Sequence, residues 1–294
     1  MDEVKLANGL ENDKTYKIVA HDIEQYLSLV EKHPFKVSGI DREFNYKTRD
    51  AKRYRWQVLE TLVKKGELLK LGADTYRKLD AELPETDWQA ADSLGTMNIR
   101  LPFNLHKLVK IFPKSIIIVA GSPNAGKTAW LYNFVVMNYG EFVIDLYNSE
   151  TSPEQMKERF DNFVIPIPTP APFRVFERYD NYADVIKPDG ISVIDYLDLN
   201  SDFYLIGDEI EKIFRKLNKG LAVIGLQKRA GQELAIGGTG TEKKASLYIT
   251  LDSGILTIKK AKSWMNPEVN PNGIKFTYKL VGGCKYVDVQ RTTE

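Results

Sequence analysis

The 294-residue chain is 43% apolar and 28% charged, enough for a substantial core and unlike a disordered polymer. Its net charge of +1 excludes a polycation, so affinity for nucleic acid has to come from local basic patches. One cysteine, Cys284, excludes an internal disulfide and a cysteine zinc site, and the scattered His21, His33 and His106 make no metal pattern.

No apolar run reaches the length of a membrane span, and the polar opening MDEVKLANGLENDK is unlike a signal peptide. A soluble, cytoplasmic protein with no membrane partner is expected. Residues 1–15 read as a flexible polar tail and residues 16–80 as a small helical domain ending in a hairpin. Ile18, Ile23, Leu27 and Val30 space as one face of a first helix. Ser38 is placed to cap a short second helix, GIDREF. A third helix is expected over Lys47–Lys65, with Trp56, Leu59, Leu62 and Val63 on its inner face and Gly66 ending it. Residues 67–71 and 75–79 then read as two strands joined at Gly72-Ala73-Asp74.

Three helices and a β-ribbon are the plan of a winged helix-turn-helix, whose third helix is the reading helix. The first half of that helix carries Lys47, Arg49, Lys52, Arg53 and Arg55, interleaved with Tyr46 and Tyr54, a composition suited to DNA phosphates. A solvated charged face, or a winged helix that binds a protein, are the alternatives. Residues 81–110 read as a linker broken by Pro84 and Pro102, with a short helix around Trp88, Ala90 and Ala91.

From residue 111 to 294 strands alternate with helices, which predicts an α/β domain with a mostly parallel sheet. The apolar run Ile116–Val119 is followed by Gly121-Ser122-Pro123-Asn124-Ala125-Gly126-Lys127-Thr128, which fits G-x-x-x-x-G-K-S/T at every fixed position. Glycines let such a loop turn its backbone N–H groups inward around an anion, and the helix that follows adds its positive end. Lys127 is placed to reach the β- and γ-phosphates, and Thr128 to offer its hydroxyl to Mg²⁺.

Strands are next expected at 142–147, 191–195 and 221–226, with late strands at 247–251, 255–260 and 274–280, the last two antiparallel. Between them, residues 164–174 are proline-rich and read as an irregular crossing. Ligands of open α/β sheets sit beyond the carboxyl ends of the strands. Glu150, Asp195 and Gln227 stand at such ends. Asp195, after GISVI, is the candidate Mg²⁺ ligand with Thr128; Glu150 is the candidate activator of the attacking water; Gln227 is the candidate γ-phosphate sensor. The plainer readings are a loop cap for Asp195, a helix cap for Glu150 and a surface residue for Gln227. Asp145 and Asp198 are weaker candidates. The glycine- and lysine-rich loop 229–244, with Lys243 and Lys244, is expected to touch single-stranded DNA.

GSPNAGKTAW, YNSETSPEQM, VIDYLDL and GLQKRAG together resemble the RecA-like ATPase domain of the DnaB-type replicative helicases, of the small phage, plasmid and mobile-element kind. The resemblance covers roughly residues 98 to 286 and leaves out the N-terminal domain. It implies a P-loop ATPase core, ATP and Mg²⁺ as ligands, and a ring, in that family a hexamer, in which each site is completed by the next subunit. IKKAKSWMNPEVNPNGIKF resembles the family's basic strand, which places the trans-acting residues at Lys260 and Lys262. Lysine there departs from the family's arginine and lacks its bidentate fork, so Arg229 is a further candidate. The function implied is an ATP-driven DNA-binding motor of replication or recombination, a hexameric helicase. The alternatives are an ATP-controlled loader or recruiter that assembles on DNA without unwinding, and a regulator whose winged helix binds protein.

Overall fold

The computed structural model describes residues 2–30, 33–80, 83, 85–198 and 205–292. The chain divides into two units, residues 1–90 and 91–294.

In the first unit, α1 (Asp2–Leu29), α2 (Val37–Glu43) and α3 (Arg49–Lys64) accompany β1 (Phe35–Lys36), β2 (Leu68–Lys70) and β3 (Thr75–Lys78). The three strands form an antiparallel sheet in the order β1-β3-β2. Thr48 caps α3, its hydroxyl accepting from the Ala51 N–H at 3.2 Å, and Gly66 stops it at φ +73°. The core is built from Val19, Ile23, Ile40, Val58, Leu59 and Leu68, with Tyr54 and Tyr76 among them.

Four details differ from the sequence expectation. The α1 backbone begins at Asp2, so the expected tail is helical from that residue. The buried face of α1 takes Val19 where Ile18 was expected; Ile18 is exposed. Helix α2 starts at Val37 with no side-chain cap, which removes Ser38 from that role. On α3 the inward positions are Tyr54, Val58, Leu59 and Leu62, and Trp56 is 54% exposed. For the α1 and α3 faces a one- or two-residue rotation changes the occupant, since apolar residues stand on both sides of the boundary.

In the second unit the expected α/β architecture is present. Its sheet comprises β4 (Ser115–Gly121), β5 (Ile144–Asn148), β6 (Arg174–Glu177), β7 (Ile191–Asp195), β8 (Leu221–Gln227), β9 (Ala245–Asp252), β10 (Ile255–Ala261), β11 (Lys275–Val281) and β12 (Lys285–Thr292). The order is β12-β11-β10-β9-β4-β8-β7-β5-β6. Strands β9 to β6 run parallel, and β10, β11 and β12 continue as an antiparallel extension. Strands β4, β5 and β7 are buried at every position, as required of strands covered on both faces. One face carries α4 (Lys127–Asn138), whose Trp130, Leu131, Phe134 and Val135 are buried. The opposite face packs Ile206, Ile210 and Ile213 of α6 (Ile206–Lys216) against Ile118, Ile194 and Ile224. Helix α5 (Pro153–Asp161) follows β5.

The expected linker ends earlier than residue 110. Ile99, Leu101, Leu105 and Val109 are buried in the α/β core, and the Met97 N–H donates to the Ile111 carbonyl at 2.8 Å. No helix forms at Trp88. Strands β6 and β12 were not expected. β6 has four exposed residues and β12 alternates polar and apolar residues weakly, so neither shows the apolar run of a buried strand.

Candidate nucleotide site

Strand β4 ends at Gly121, and the loop from Ser122 to Gly126 delivers the chain into α4. Gly126 has φ +91°, a conformation that favours glycine, and a Cβ there would press on the Tyr286 hydroxyl at 3.1 Å. A Cβ on Gly121 would come within 3.0 Å of the Lys127 Cβ. The loop walls a cavity of about 540 Å³ that also takes in Lys127, Thr128, Glu150 and Gln227. Asp195 approaches it from β7: the Thr128 hydroxyl donates to Asp195 Oδ1 at 3.2 Å. Residues from four strand ends are thereby brought together as the sheet rule requires.

Asp195 is fully buried, and its Oδ2 has no hydrogen-bond partner among the described residues. Burial pushes its carboxyl up to about 6, opposed by the Lys127 charge and the Thr128 hydrogen bond. An orphaned buried carboxylate oxygen beside a hydroxyl suits a hard divalent cation that takes its remaining ligands from water and phosphate. No cluster of three or more acidic, histidine or cysteine side chains that could hold a metal occurs among the described residues. A Mg²⁺ bound by one carboxylate, one hydroxyl and a nucleotide has no need of one.

Burial lowers the Lys127 pKa, while the charges of Asp195, Glu150 and Asp198 act to raise it. Its ammonium lies 3.7 Å from the centre of the Tyr196 ring, a cation–π contact inside the cavity. Glu150 is exposed at the cavity wall. It does not cap α5: that role belongs to Ser152, which accepts from the Gln155 N–H at 3.3 Å. The turn holding Glu150 is braced by Asn148, whose side chain accepts from the Thr151 N–H at 3.0 Å and donates to the Thr151 carbonyl at 2.5 Å. Gln227 closes β8 directly opposite Gly121 in the parallel register. Asp145 is removed as a candidate because its buried carboxylate is taken by Arg174 at 2.5 Å and Lys187 at 3.3 Å.

Tyr196, Gln155, Arg159, Leu280 and Gly283 also line the cavity. Sequence reasoning missed all five. Gln155 and Arg159 stand four apart on α5, a spacing that puts them on one helix face, and this was the signal available. Leu280 and Gly283 come from the β11–β12 hairpin, more than 150 residues from the loop they meet, and nothing local announces them.

The other candidates do not line this cavity. Lys260 donates to the Glu242 carbonyl at 2.7 Å. Lys262 is exposed as a residue, and partial desolvation of its ammonium, with the charges of Lys260 and Lys244, lowers its pKa. Arg229 borders a separate cavity of about 600 Å³ formed by the loop after β8. Lys243 is exposed, whereas Lys244 pairs with Glu211 at 3.1 Å and lies over the Phe214 ring, so its charge already has a partner within the chain. Lys228, not singled out from sequence, is fully buried and donates to both Asp252 oxygens at 2.7 and 2.8 Å.

On α3 and just before it, Lys47, Arg49 and Lys52 are exposed and carry no ion pair among the described residues. Arg53 is exposed, 3.3 Å from Asp50. Arg55 is corrected: its half-buried guanidinium pairs with Asp41. Tyr46 and Tyr54 are corrected too, both being buried, with the Tyr46 hydroxyl donating to Asp22 at 2.9 Å. Trp56 instead joins Arg49, Lys52 and Arg53 on the outward face at helical spacing.

No protein-family model matches the chain, and no curated protein matches it by sequence. Among solved structures, the RadB recombinase crystal structure is similar at 11% identity and TM-score 0.43, over 59% of this chain and 91% of that one. A second solved structure, an ATPase domain, is similar at 16% identity and TM-score 0.43, over 61% of this chain and 86% of that one.

Proposed function

We propose that the chain is a RecA-like, Mg²⁺-dependent ATPase that binds DNA and works as a ring-shaped motor of replication or recombination, a DnaB-like hexameric helicase. The observation that carries this reading is the Thr128–Asp195 contact at 3.2 Å, on the wall of a cavity shared by Lys127, Glu150 and Gln227. The loop N–H groups and the start of α4 bind the phosphates, and Lys127 neutralises the β- and γ-oxygens. Thr128 and Asp195 would hold Mg²⁺, which supplies charge neutralisation on the transferring phosphoryl group. Glu150 orients the attacking water and takes its proton; Gln227 faces the γ-phosphate and transmits its loss to the loop that follows β8.

The three helices and β-ribbon of the first unit support a winged helix-turn-helix in which Lys47, Arg49, Lys52 and Arg53 meet duplex phosphates. Lys243 contacts single-stranded DNA, and Lys262 or Arg229 completes the site of a neighbouring subunit. Replacing Glu150 with Gln tests the assignment. ATP binding is retained and steady-state hydrolysis falls by about 100-fold or more, in the range for loss of a general base. A normal rate removes Glu150 from that role. Unwinding of a forked substrate separates a helicase from a loader that assembles on DNA without separating strands.

A further inference from the structure

A phosphate loop binds anions only if its peptide planes keep their N–H groups facing the ligand. In a trans peptide the carbonyl points the opposite way from the N–H, so whatever holds the carbonyl sets the direction of the donor. Two phenols hold carbonyls in this loop. The Tyr278 hydroxyl donates to the Ala125 carbonyl at 2.5 Å, with the Asp252 carbonyl a second, longer acceptor at 3.0 Å. The Tyr286 hydroxyl donates to the Gly126 carbonyl at 2.6 Å, and that carbonyl also accepts the Trp130 N–H of α4 at 2.9 Å. The Ala125 carbonyl belongs to the peptide that carries the Gly126 N–H, and the Gly126 carbonyl to the peptide that carries the Lys127 N–H.

The two rings are themselves held. They meet edge to face at 5.0 Å, and Phe103 packs against Tyr286 at 4.7 Å and Tyr278 at 5.4 Å. The Asn133 side chain donates to the Cys284 carbonyl at 2.7 Å, which ties the hairpin between β11 and β12 to α4. Both phenols are donors at neutral pH, as any tyrosine is, and burial pushes them further above the usual tyrosine range.

We propose that Tyr278 and Tyr286 are positioning residues of the nucleotide site, clamping the two peptides at the end of the phosphate loop so that the Gly126 and Lys127 N–H groups face the phosphates. This rests on the nucleotide-binding reading given above. It assigns to the antiparallel extension of the sheet a part in phosphate binding, although the hydroxyls touch only main-chain oxygens on the far side of the peptides. Neither a structural filler nor a surface hairpin needs two short hydrogen bonds to adjacent carbonyls of one loop.

The test uses the full chain and the variants Tyr278→Phe, Tyr286→Phe and the double variant, which delete one oxygen each and keep the ring packing. Tyr248→Phe is the control, since its buried hydroxyl bonds the Ala235 N–H and meets Thr241, away from the loop. ATP and ADP binding is measured by titration calorimetry, with thermal midpoints recorded with and without nucleotide. Each single change is expected to raise both Kd values by about three- to tenfold, the effect of one backbone hydrogen bond, and the double change by more than either. The ligand-induced rise in midpoint falls in step, while Tyr248→Phe leaves both Kd values unchanged. Single variants that fold and bind ATP and ADP with wild-type Kd overturn the proposal, as does a loss of midpoint with unaltered Kd. If the double variant fails to fold, the two single variants decide the outcome. Wild-type protein that binds neither nucleotide overturns the nucleotide reading itself, a distinct outcome.

Discussion

At the scale of single residues, Lys127 and Asp195 divide the electrostatics of the site. Asp195 is a fully buried carboxylate whose cost is only partly met by the Thr128 hydroxyl and the Lys127 ammonium. Lys127→Ala removes the cation that answers both the carboxylates and the phosphates, and ATP affinity or turnover is expected to fall by about 100-fold or more. Unchanged ATPase activity would reject the phosphate-loop assignment. Lys228 poses a structural question at the same scale. Its side chain is fully buried, while that of Asp252 is 38% exposed, so water can rehydrate the carboxylate once the partner is lost. Lys228→Met is therefore expected to cost less than the roughly 3–5 kcal/mol typical of a broken buried pair, about 2 kcal/mol, read from denaturant unfolding. A change below about 0.5 kcal/mol would show that the pair does not hold the loop after β8 in place.

Helix α3 shows what an element adds to its residues. Its 16 residues turn Tyr54, Val58, Leu59 and Leu62 inward, which leaves Arg49, Lys52, Arg53 and Trp56 on the outward face. Replacing Arg49, Lys52 and Arg53 together with Ala is expected to weaken duplex binding. It should also lower the slope of log affinity against log salt by up to about 3, near one released counterion per lost phosphate contact. Unaffected affinity and slope would sink the role of this helix in DNA binding. The Thr48 cap is independent of that role. Thr48→Ala should lower the stability of the first unit by about 1 kcal/mol in thermal or denaturant unfolding, without altering ATP binding.

For the molecule as a whole, the question is assembly. None of Lys260, Lys262 and Arg229 lines the phosphate-loop cavity of its own chain. A lysine at a trans position delivers charge without the planar fork of arginine. If a neighbour completes the site, mass measurement should show a larger species with ATP and single-stranded DNA than without them. Specific ATPase activity should rise with protein concentration. A particle that stays monomeric with concentration-independent turnover would dismiss the ring. No described helix is long and apolar enough to cross a membrane.

What the amino-acid sequence determined alone was the local chemistry: a strand, a glycine loop, a lysine and a threonine in continuous order, with Asp195 and Gln227 closing apolar runs and Glu150 two residues past the end of one strand. Such features are legible because short-range sterics and burial on both faces impose them on consecutive residues. The outward turn of Trp56, the pairing of Arg55 with Asp41 and the capture of Asp145 by Arg174 were decided only when separate elements packed, since one position of rotation reverses a side chain's surroundings. The meeting of Tyr278 and Tyr286 with Ala125 and Gly126 belongs wholly to the tertiary structure: contacts across 153 and 160 residues leave no periodicity to read, because the chain between them, and not the residues themselves, brings them together.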